Sequence, residues 1–418
     1  MTKRSFYILS IVLILTGLCI SVIRVKSGTA YYPADLASYL SGYYAFIDGG
    51  NPYSEDDAGS SLEKRGISVN YYPYVYSPAF LLLFFPLKFI PYSLFRILWV
   101  YGGLFCGWIS VALLLWKLDS DRKNRTVFLL GSFVFFTIAA PLVDNSVWGN
   151  ISAFILLAIS VMVTGSFRGI HSSISMLFLS ITKIGLLPVI LLVRSRKTLL
   201  IFLSLLILLN GAAIVALGFR QYSRWANSLE NIGQSVNSNL INNLSVANSI
   251  SKFVSSNLIT MDLERASRDH VYRLQRAEKQ KILNRSIYYA VLLLSVLFVV
   301  YRGRKEFRRV TENNRNKLLS VIILCILVLV PFIWVHYGLF LIIPFWVLCR
   351  LERYRAAILF LLCAVLWGMP IEGIMGSAVP VWGRFVFLLP WIYYFLNVHR
   401  KTGKRERSGT MSGSCHTG

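Results

Sequence analysis

The sequence predicts an all-α polytopic membrane protein with about twelve transmembrane helices. Of its 418 residues, 56% are hydrophobic and only 15% are charged, whereas about 25% of the residues in a soluble domain are charged. The mean hydropathy is +0.59. Apolar runs of about 20 residues recur along the chain, and each can cross a hydrocarbon core about 30 Å thick. Together these observations exclude an ordinary soluble domain.

The predicted spans follow from these apolar runs. The first, Phe6–Ile23, follows a basic N-terminus and is interpreted as a retained helix rather than a cleaved signal peptide. Ser77–Pro91 is interpreted as a re-entrant segment, because a full crossing would place the basic loop Lys117–Arg125 outside. The remaining spans are Leu94–Trp116, Val127–Val143, Asn150–Thr164, Ile170–Lys183, Ile184–Val193, Leu199–Leu217, Ser286–Val300, Leu318–Ile333, Tyr337–Cys349, Ala356–Met369 and Val381–Val398. The two that flank Lys183 are too short to cross alone and are interpreted as a broken pair.

The net charge of +24 is interpreted as a membrane-orientation signal rather than a nucleic-acid surface. The Lys and Arg residues concentrate in short loops, and such loops remain on the cytoplasmic side of a membrane. We therefore expect a multi-pass protein of the cell inner membrane with both termini cytoplasmic. The run Arg302–Lys317 is also suited to contact with anionic membrane lipids. No nucleic-acid partner is predicted.

The prediction divides the chain into a membrane domain, residues 1–398, and a disordered basic cytoplasmic tail, residues 399–418. Two loops face outward, residues 24–76 and the large loop 219–285. In the first loop, apolar residues three or four apart over Asp35–Asp48 predict an amphipathic helix on the membrane surface. Gly-Gly-Asn-Pro at 49–52 is expected to end that helix.

Ionisable residues near or inside the predicted spans are candidate functional residues, because such groups are costly there. Asp35 is either a helix N-cap or a general base at the rim of a cleft. Lys183 either extends its charge to the interface or provides a point charge for a phosphate. His336 is either a structural interfacial residue or a hydrogen-bonding partner for a sugar hydroxyl or a phosphate.

A further candidate is Asp144–Asn150, which is predicted to be a short outer turn. Its Asn145, Trp148 and Asn150 are either ordinary turn and interface residues or a platform on which a sugar could bind.

The motifs of several enzyme classes are missing from the sequence. It contains no P-loop, no GxSxG, no HExxH and no paired Cys/His cluster, which argues against an ATP-driven pump, a serine hydrolase and a zinc protease. The six cysteines are interpreted as small packing residues, and no metal site is predicted.

Six segments, taken in order, resemble glycosyltransferase family 87 of the C-type glycosyltransferase superfamily. They are YYPADLASYLSGYYAFIDGGNPY, YYPYVYSPAFLLLFFPL, VWGNISAFILLA, SITKIGLLPVILLVRSRK, NNLSVANSISKF and WVHYGLFLIIP. The resemblance covers most of residues 6–398 and implies a C-type fold with surface helices in the first outer loop. It also implies inverting transfer of a hexose, mannose above all, from a polyprenyl-phosphate sugar to a lipid or glycan acceptor on the outer face.

The resemblance further implies a role for individual residues. Asp35 would be the catalytic base, and Lys183 and His336 would bind the donor phosphate. The residues implied in binding the sugar or the acceptor are Tyr39, Asn51, Tyr53, Tyr72, Tyr76, Asn145, Trp148, Asn150 and Trp334. No cofactor is implied. Asp35 is followed by Leu36 and Ala37 rather than by the second acid of metal-using relatives, although Asp48, Glu55 and Asp57 could supply a second carboxylate for a divalent metal.

Two other functions fit parts of the sequence. A polymerase or ligase of lipid-linked polysaccharides would use arginines of the large outer loop, where Arg220, Arg224 and Arg265–Arg276 are available. A transporter or flippase of lipid-linked sugars would use the broken helices around Lys183 and Pro188. The absence of a two-fold internal repeat argues against the transporter.

Overall fold

The chain is helical wherever the structure describes regular elements. The computed structural model describes residues 3–28, 33–67, 74–118, 122–235, 312–329, 335–368 and 388–397, together with residues 279, 282, 283, 286, 290, 293, 294, 297, 301 and 310. No strand occurs in these ranges. The chain forms two compact units, the first from Met1–Asn239 and Val335–Met369 and the second from Leu240–Trp334 and Pro370–Gly418.

The first unit contains the helices that carry the candidate site. In chain order they are α1 (Lys3–Gly28), α2 (Ala34–Ile47), α3 (Glu55–Glu63), α4 (Pro78–Leu81) with the 3-10 helix Leu82–Lys88, α5 (Tyr92–Trp116), α6 (Arg122–Val134) with the π turn Phe135–Ala139, α7 (Pro141–Trp148), α8 (Ser152–Thr164), α9 (Gly169–Thr182) with the 3-10 helix Ile184–Leu192, α10 (Arg196–Leu217) and α11 (Arg220–Ser235). Of the second unit, the structure describes α12 (Glu312–Leu329) and a helical stretch at 389–397. The first unit then resumes with the 3-10 helix Val335–Leu341, α13 (Ile342–Arg350) and α14 (Tyr354–Gly368).

The predicted apolar runs correspond to these helices, but most of the helices are shorter than a full crossing. Among the described residues, three helices are long and apolar enough to cross a membrane: Arg4–Ser27, Tyr92–Trp116 and Arg196–Leu217. A fourth crossing results if α6, its π turn and α7, which bend by 49°, form one broken span. The figure of twelve crossings therefore stays a prediction. The predicted spans 286–300 and 381–398 lie largely outside the described residues, as does the tail 399–418.

The re-entrant segment is represented by α4 and its 3-10 helix, Pro78–Lys88. At 1.5–2.0 Å per residue this segment is about 16–22 Å long, whereas the hydrocarbon core is about 30 Å thick. The length is therefore consistent with a half-depth segment. Pro86 within it removes a backbone donor and limits its continuation as a regular α-helix.

The predicted turn at Asp144–Asn150 is wrong, because residues 141–148 form helix α7. Pro141 occupies the first helical position, where its missing N–H group is tolerated. The preceding Ala140 has a φ of 54°, a left-handed conformation that breaks the helix between the π turn and α7. The turn is confined to Gly149, whose N–H donates to Ser146 O at 3.1 Å.

The helix predicted over Asp35–Asp48 is confirmed as α2, and its predicted place on the membrane surface stays a prediction. Eleven of its fourteen residues are buried, on all sides of the helix. Small residues let neighbours approach closely: a methyl group built at Gly42 would lie 2.4 Å from the ring of Tyr74. The proposed N-cap role of Asp35 is wrong, because Pro33 occupies that position and Asp35 lies in the first turn.

Arg65 connects the C-terminal end of α2 to the end of α3. Its guanidinium donates to both carboxylate oxygens of Asp48 at 2.8 Å and to Ser61 O at 2.8 Å, and it lies 4.3 Å from the centre of the Tyr44 ring. These hydrogen bonds lower the pKa of the Asp48 carboxyl to about 2. As predicted, α2 ends here, with Gly49 at a φ of 83°.

Candidate active site

The C-terminal end of α7 meets the N-terminal end of α2 at Gly149. Its φ is 67°, and a methyl group built on it would lie 2.8 Å from the Cβ atoms of both Leu36 and Pro33. Only glycine combines this conformation with so close a backbone approach. The N–H of the next residue, Asn150, donates to Asn145 O at 2.8 Å, which closes the helix end in the manner of a Schellman motif. Gly149 therefore sets Asn150 directly beside α2.

Asn150 connects the carboxylate of Asp35 to the start of α8. Its Nδ2 donates to Asp35 Oδ2 at 2.8 Å. Its Oδ1 accepts from the backbone N–H of Ser152 at 2.9 Å and from the Ser152 hydroxyl at 2.6 Å. Because two donors point at Oδ1, the orientation of the amide is defined by its hydrogen bonds.

Lys183 approaches the same serine from the break after α9. It is the C-cap of α9, and the 3-10 helix Ile184–Leu192 follows it. Its Nζ donates to Ser152 Oγ at 2.9 Å and lies 3.5 Å from the centre of the Tyr337 ring. Ring faces attract cations, so the ammonium is held by a hydroxyl and an aromatic face.

Hydrogen bonds thus connect four side chains in a continuous series, with a carboxylate at one end and an ammonium at the other. The order is Asp35, Asn150, Ser152 and Lys183. Asp35 also interacts electrostatically with Lys183 and with Tyr39, Tyr76 and Tyr337. A base and a cation therefore lie in one site, as acid–base group transfer requires.

Aromatic side chains surround the carboxylate end of this chain. Tyr39 OH accepts from the Ile151 N–H at 3.2 Å, and Tyr76 OH donates to Tyr39 OH at 3.4 Å. The Tyr39 ring contacts Phe80 and Trp99 edge to face, with ring centres 5.6 and 5.8 Å apart. The rings enclose one side of α2 and leave little freedom for Tyr39.

Trp99 and Trp225 fix the backbone on either side of the site. Trp99 Nε1 donates to Gly149 O at 2.8 Å. Trp225, in α11, donates to Val75 O at 3.1 Å. Neighbouring Tyr76 O accepts from the Tyr53 hydroxyl at 3.1 Å. The segment from Val75 to Ser77 is therefore held from two directions.

The structure brings together some of the predicted site residues and not others. Asp35, Lys183, Asn150, Tyr39 and Tyr76 are connected as described. Tyr53 is connected to these residues through the hydrogen bond from its hydroxyl to the backbone carbonyl of Tyr76. His336 lies in the 3-10 helix Val335–Leu341 beside Tyr337, and its side chain is outside the described residues, as are Tyr72 and Trp334.

Three predicted residues take no part in this chain of contacts. Asn51 has a local role: its N–H donates to Asp57 Oδ2 at 2.7 Å, and its Oδ1 accepts from the Tyr53 N–H at 3.2 Å. Asn145 is buried beside Gly103 of α5, and its amide has no hydrogen-bond partner among the described residues. Trp148 is 39% exposed on α7.

The sequence analysis missed Ser152, Tyr337 and Trp99. Serine, tyrosine and tryptophan are common in membrane helices, so their type alone gave no signal. Their positions in the sequence were the available indication, because Ser152 follows the candidate Asn150 by two residues and Tyr337 directly follows the candidate His336. Both would have been found by treating each candidate together with its neighbours in the chain.

No cluster of three or more His, Cys, Asp or Glu side chains is found in the part of the chain that the structure describes. Two of the carboxylates considered as a second acid are engaged elsewhere, because Asp48 binds Arg65 and Asp57 accepts from the Asn51 N–H. The electrostatic partner of Asp35 with positive charge is Lys183.

Comparison with known proteins gives the family. Residues 74–331 match the model of glycosyltransferase family 87. The matched region includes Tyr76, Asn150, Ser152 and Lys183, whereas Asp35 precedes it and Tyr337 follows it. No curated protein matches the chain. The apolar helices are those of a membrane protein. The suspected family is confirmed over residues 74–331, which hold three of the six segments in full and most of the second segment, whereas the first and last segments lie outside the matched region. The chain therefore belongs to glycosyltransferase family 87, and as a glycosyltransferase it takes a sugar from a donor to an acceptor.

Proposed function

We propose that this protein transfers a hexose, mannose above all, from a polyprenyl-phosphate sugar to a lipid or glycan acceptor. Transfer takes place at the outer face of the cell inner membrane, with both termini cytoplasmic, and it inverts the configuration of the anomeric carbon. Asp35 is the general base, and Lys183, with His336, binds the donor phosphate.

The observation that carries this proposal is the placement of Asp35 and Lys183 at opposite ends of one hydrogen-bonded chain. Transfer from a glycosyl phosphate needs two charged groups at once. One must take the proton of the acceptor hydroxyl, and the other must stabilise the negative charge that develops on the departing phosphate. A carboxylate and an ammonium separated by one amide and one hydroxyl meet both needs.

The reaction proceeds as a single displacement. The acceptor hydroxyl gives its proton to a carboxylate oxygen of Asp35, and its oxygen attacks the anomeric carbon from the face opposite the phosphate. The bond from the anomeric carbon to the phosphate oxygen breaks, and its electron pair remains on that oxygen. The phosphate gains one negative charge, which the Lys183 ammonium stabilises. One base and direct attack give inversion.

The amphiphilic donor fits the surroundings of the site. A polyprenyl phosphate carries its charge at the membrane surface and its chain in the hydrocarbon. The helices that pack around the site also carry exposed apolar side chains, including Ile207, Leu208 and Val215 of α10, which suit contact with lipid. The basic loops support a cytoplasmic N-terminus, so the first loop, which carries Asp35, faces outward.

We propose further that transfer needs no divalent metal. The positive charge opposite the base is supplied by Lys183, and the carboxylates of Asp48 and Asp57 are held by Arg65 and by a backbone N–H. We expect activity to persist after incubation with a chelator.

The test is sugar transfer by purified protein in nanodiscs. Radiolabelled polyprenyl-phosphate mannose and polyprenyl-phosphate glucose are offered separately with a membrane-lipid extract. Wild type is compared with Asp35→Asn and with the matched control Asp56→Asn, which changes an exposed carboxylate of α3. We expect labelled product from wild type and Asp56→Asn, and a loss of at least about 100-fold in Asp35→Asn.

Retention of full activity in Asp35→Asn would remove Asp35 from the role of base. Equal transfer from mannose and glucose donors would remove the preference for mannose. Product formed with a sugar nucleotide but not with either lipid-linked donor would contradict the donor class. A complete loss of product with the chelator would contradict metal independence.

A further inference from the structure

Ser152 occupies the middle of the hydrogen-bonded chain, and no motif of the sequence assigns it a role. It is the first residue of α8 and is fully buried. Its hydroxyl donates to Asn150 Oδ1 at 2.6 Å and accepts from Lys183 Nζ at 2.9 Å. Since a protonated lysine can only donate, the single hydroxyl proton is directed at Asn150.

This arrangement fixes groups on both sides of the serine. On one side, the hydroxyl is one of two donors that hold Asn150 Oδ1, so the Nδ2 group of the amide faces Asp35. On the other side, the hydroxyl and the Tyr337 ring hold the ammonium of Lys183. One small side chain therefore determines the geometry of both the base and the cation.

We propose that Ser152 is a positioning residue that sets the general base and the phosphate-binding cation at a fixed separation. This inference rests on the proposed function, because it assigns Ser152 an effect on donor binding through Lys183 and on turnover through Asn150 and Asp35. In this proposal Ser152 acts through Asn150 and Lys183 and is assigned no contact with the reacting carbon or the phosphate.

A purely structural role for Ser152, as the start of α8, makes a different prediction. The backbone N–H of residue 152 donates to Asn150 Oδ1 whatever the side chain is, so this part of the helix start survives in Ser152→Ala. That variant removes only the hydroxyl and its two hydrogen bonds. A structural role would lower thermal stability, whereas a positioning role changes donor affinity and turnover.

Ser160 provides a matched control on the same helix. Like Ser152 it is fully buried, but its hydroxyl has no hydrogen-bond partner among the described residues. Ser160→Ala therefore removes the same group from the same helix without breaking either bond.

The experiment measures two quantities for wild type, Ser152→Ala, Ser160→Ala, Lys183→Met and the Ser152/Lys183 double variant. One is the binding of polyprenyl phosphate, used as the probe, to protein in nanodiscs. The other is kcat for transfer from the lipid-linked sugar. Melting temperatures confirm that each variant is folded, and Lys183→Gln replaces Lys183→Met if the latter fails to fold.

We expect Ser152→Ala to bind polyprenyl phosphate about tenfold more weakly than wild type and to lose about tenfold in kcat, because hydrogen bonds to charged groups contribute on this scale. Ser160→Ala should match wild type in both. In the Lys183→Met background, Ser152→Ala should weaken binding no further, because the two residues act through one contact.

Three outcomes overturn the inference, and failure of the inference alone is distinguishable from failure of the proposed function. If wild type transfers sugar and binds the probe but Ser152→Ala behaves like Ser160→Ala, or if the losses of Ser152→Ala and Lys183→Met simply add, Ser152 does not position the pair. If wild type binds polyprenyl phosphate no better than Lys183→Met and transfers no lipid-linked sugar, the proposed function fails and the inference fails with it.

Discussion

Tyr337 shows how a single ring can hold a charge at the site. Its centre lies 3.5 Å from Lys183 Nζ, and a desolvated cation over an aromatic face is stabilised by about 2 kcal/mol. On its other side, the Lys183 ammonium donates to Ser152 Oγ. The ring therefore limits where the ammonium can go.

We predict that Tyr337→Leu weakens donor binding about tenfold, because it removes the aromatic face. Tyr337→Phe retains that face and should lose much less. The measurement is the KM for the lipid-linked sugar in nanodiscs. Equal KM values for the leucine and phenylalanine variants would show that the ring does not hold Lys183.

The ion pair of Asp48 and Arg65, which lies outside the candidate active site, predicts how the stability of the fold depends on pH. The pKa of Asp48, lowered to about 2 by the guanidinium, lies below its ordinary value of about 3.9. The pair therefore stabilises the fold fully above about pH 4, and this stabilisation is lost as the pH falls toward about 2. Because both side chains are partly exposed, the contribution is about 1 kcal/mol.

We expect Asp48→Asn to unfold at a lower temperature than wild type at pH 7, with the difference constant down to about pH 5 and shrinking below pH 4. Thermal unfolding in detergent measures it, with the exposed Asp56→Asn as the control. A difference that stayed constant down to pH 2, or its absence at pH 7, would contradict the assigned pairing.

At the residue scale, the sequence pointed to the two charged residues of the site and to its neutral Tyr39, Tyr76 and Asn150, but not to Ser152 or Tyr337. Asp35 and Lys183 stood out because an ionisable group beside apolar segments is costly. Ser152 and Tyr337 are ordinary in such helices, and only the fold brings them to Lys183. The sugar contact predicted for Asn145 stays a prediction, and the structure places its amide beside Gly103 of α5.

At the scale of elements, the junction of α7 and α2 determines the site. Gly149 and Gly66 have almost the same backbone conformation, with φ values of 67° and 66°. They differ in their surroundings, because a methyl group built at Gly66 would meet no described atom within 4 Å, whereas one at Gly149 would collide with Leu36 and Pro33. Alanine substitutions at Gly66 and Gly149 therefore distinguish two effects. Both introduce backbone strain, but only the substitution at Gly149 also disturbs the close approach of α7 to α2.

We predict that Gly66→Ala and Gly149→Ala each lose about 1–2 kcal/mol through the left-handed conformation alone. Gly149→Ala should also push Asn150 away from Asp35 and reduce transfer at least about tenfold, while Gly66→Ala keeps its turnover. Melting temperature and initial transfer rate are measured for both. Equal loss of activity in the two variants would mean that the approach of α7 to α2 is unimportant for catalysis.

Helix positions were largely predictable, and helix surroundings were not. The periodicity of α2 and the glycines after it predicted its extent, since these are local properties of the chain. The burial of α2 was not predictable, because it depends on contacts with residues distant in the sequence. One example is the close packing of the Tyr74 ring against Gly42. The α7 helix was taken for a turn because Asp144, Asn145 and Gly149 are typical of turns, and Pro141 was not read as a helix start.

For the whole molecule, the main open prediction is topology. The helical segment Pro78–Lys88 is shorter than a regular crossing. Whether it crosses the membrane decides the side on which every later loop lies. If it does not cross, the loop after α5 lies in the cytoplasm. The loop that contains α3 precedes this segment, so it is predicted to lie outside in either case.

We predict that a cysteine at Ser60 reacts with a membrane-impermeant maleimide in intact cells, whereas a cysteine at Lys117 reacts only after permeabilisation. Both are introduced into a cysteine-free background, with Arg353→Cys as a second cytoplasmic position. Labelling of Lys117→Cys in intact cells would show that Pro78–Lys88 crosses the membrane and would reverse the predicted side of the loop after α5.

The enclosure of α2 has a consequence for the time course of catalysis. An amide buried on all sides exchanges its hydrogen only when the surrounding structure opens, so the interior of α2 should be among the last segments to take up deuterium. Asp35 is carried by this slowly exchanging helix. The base then keeps its place through many turnovers, and the arrival of donor and acceptor depends on the motion of segments outside α2.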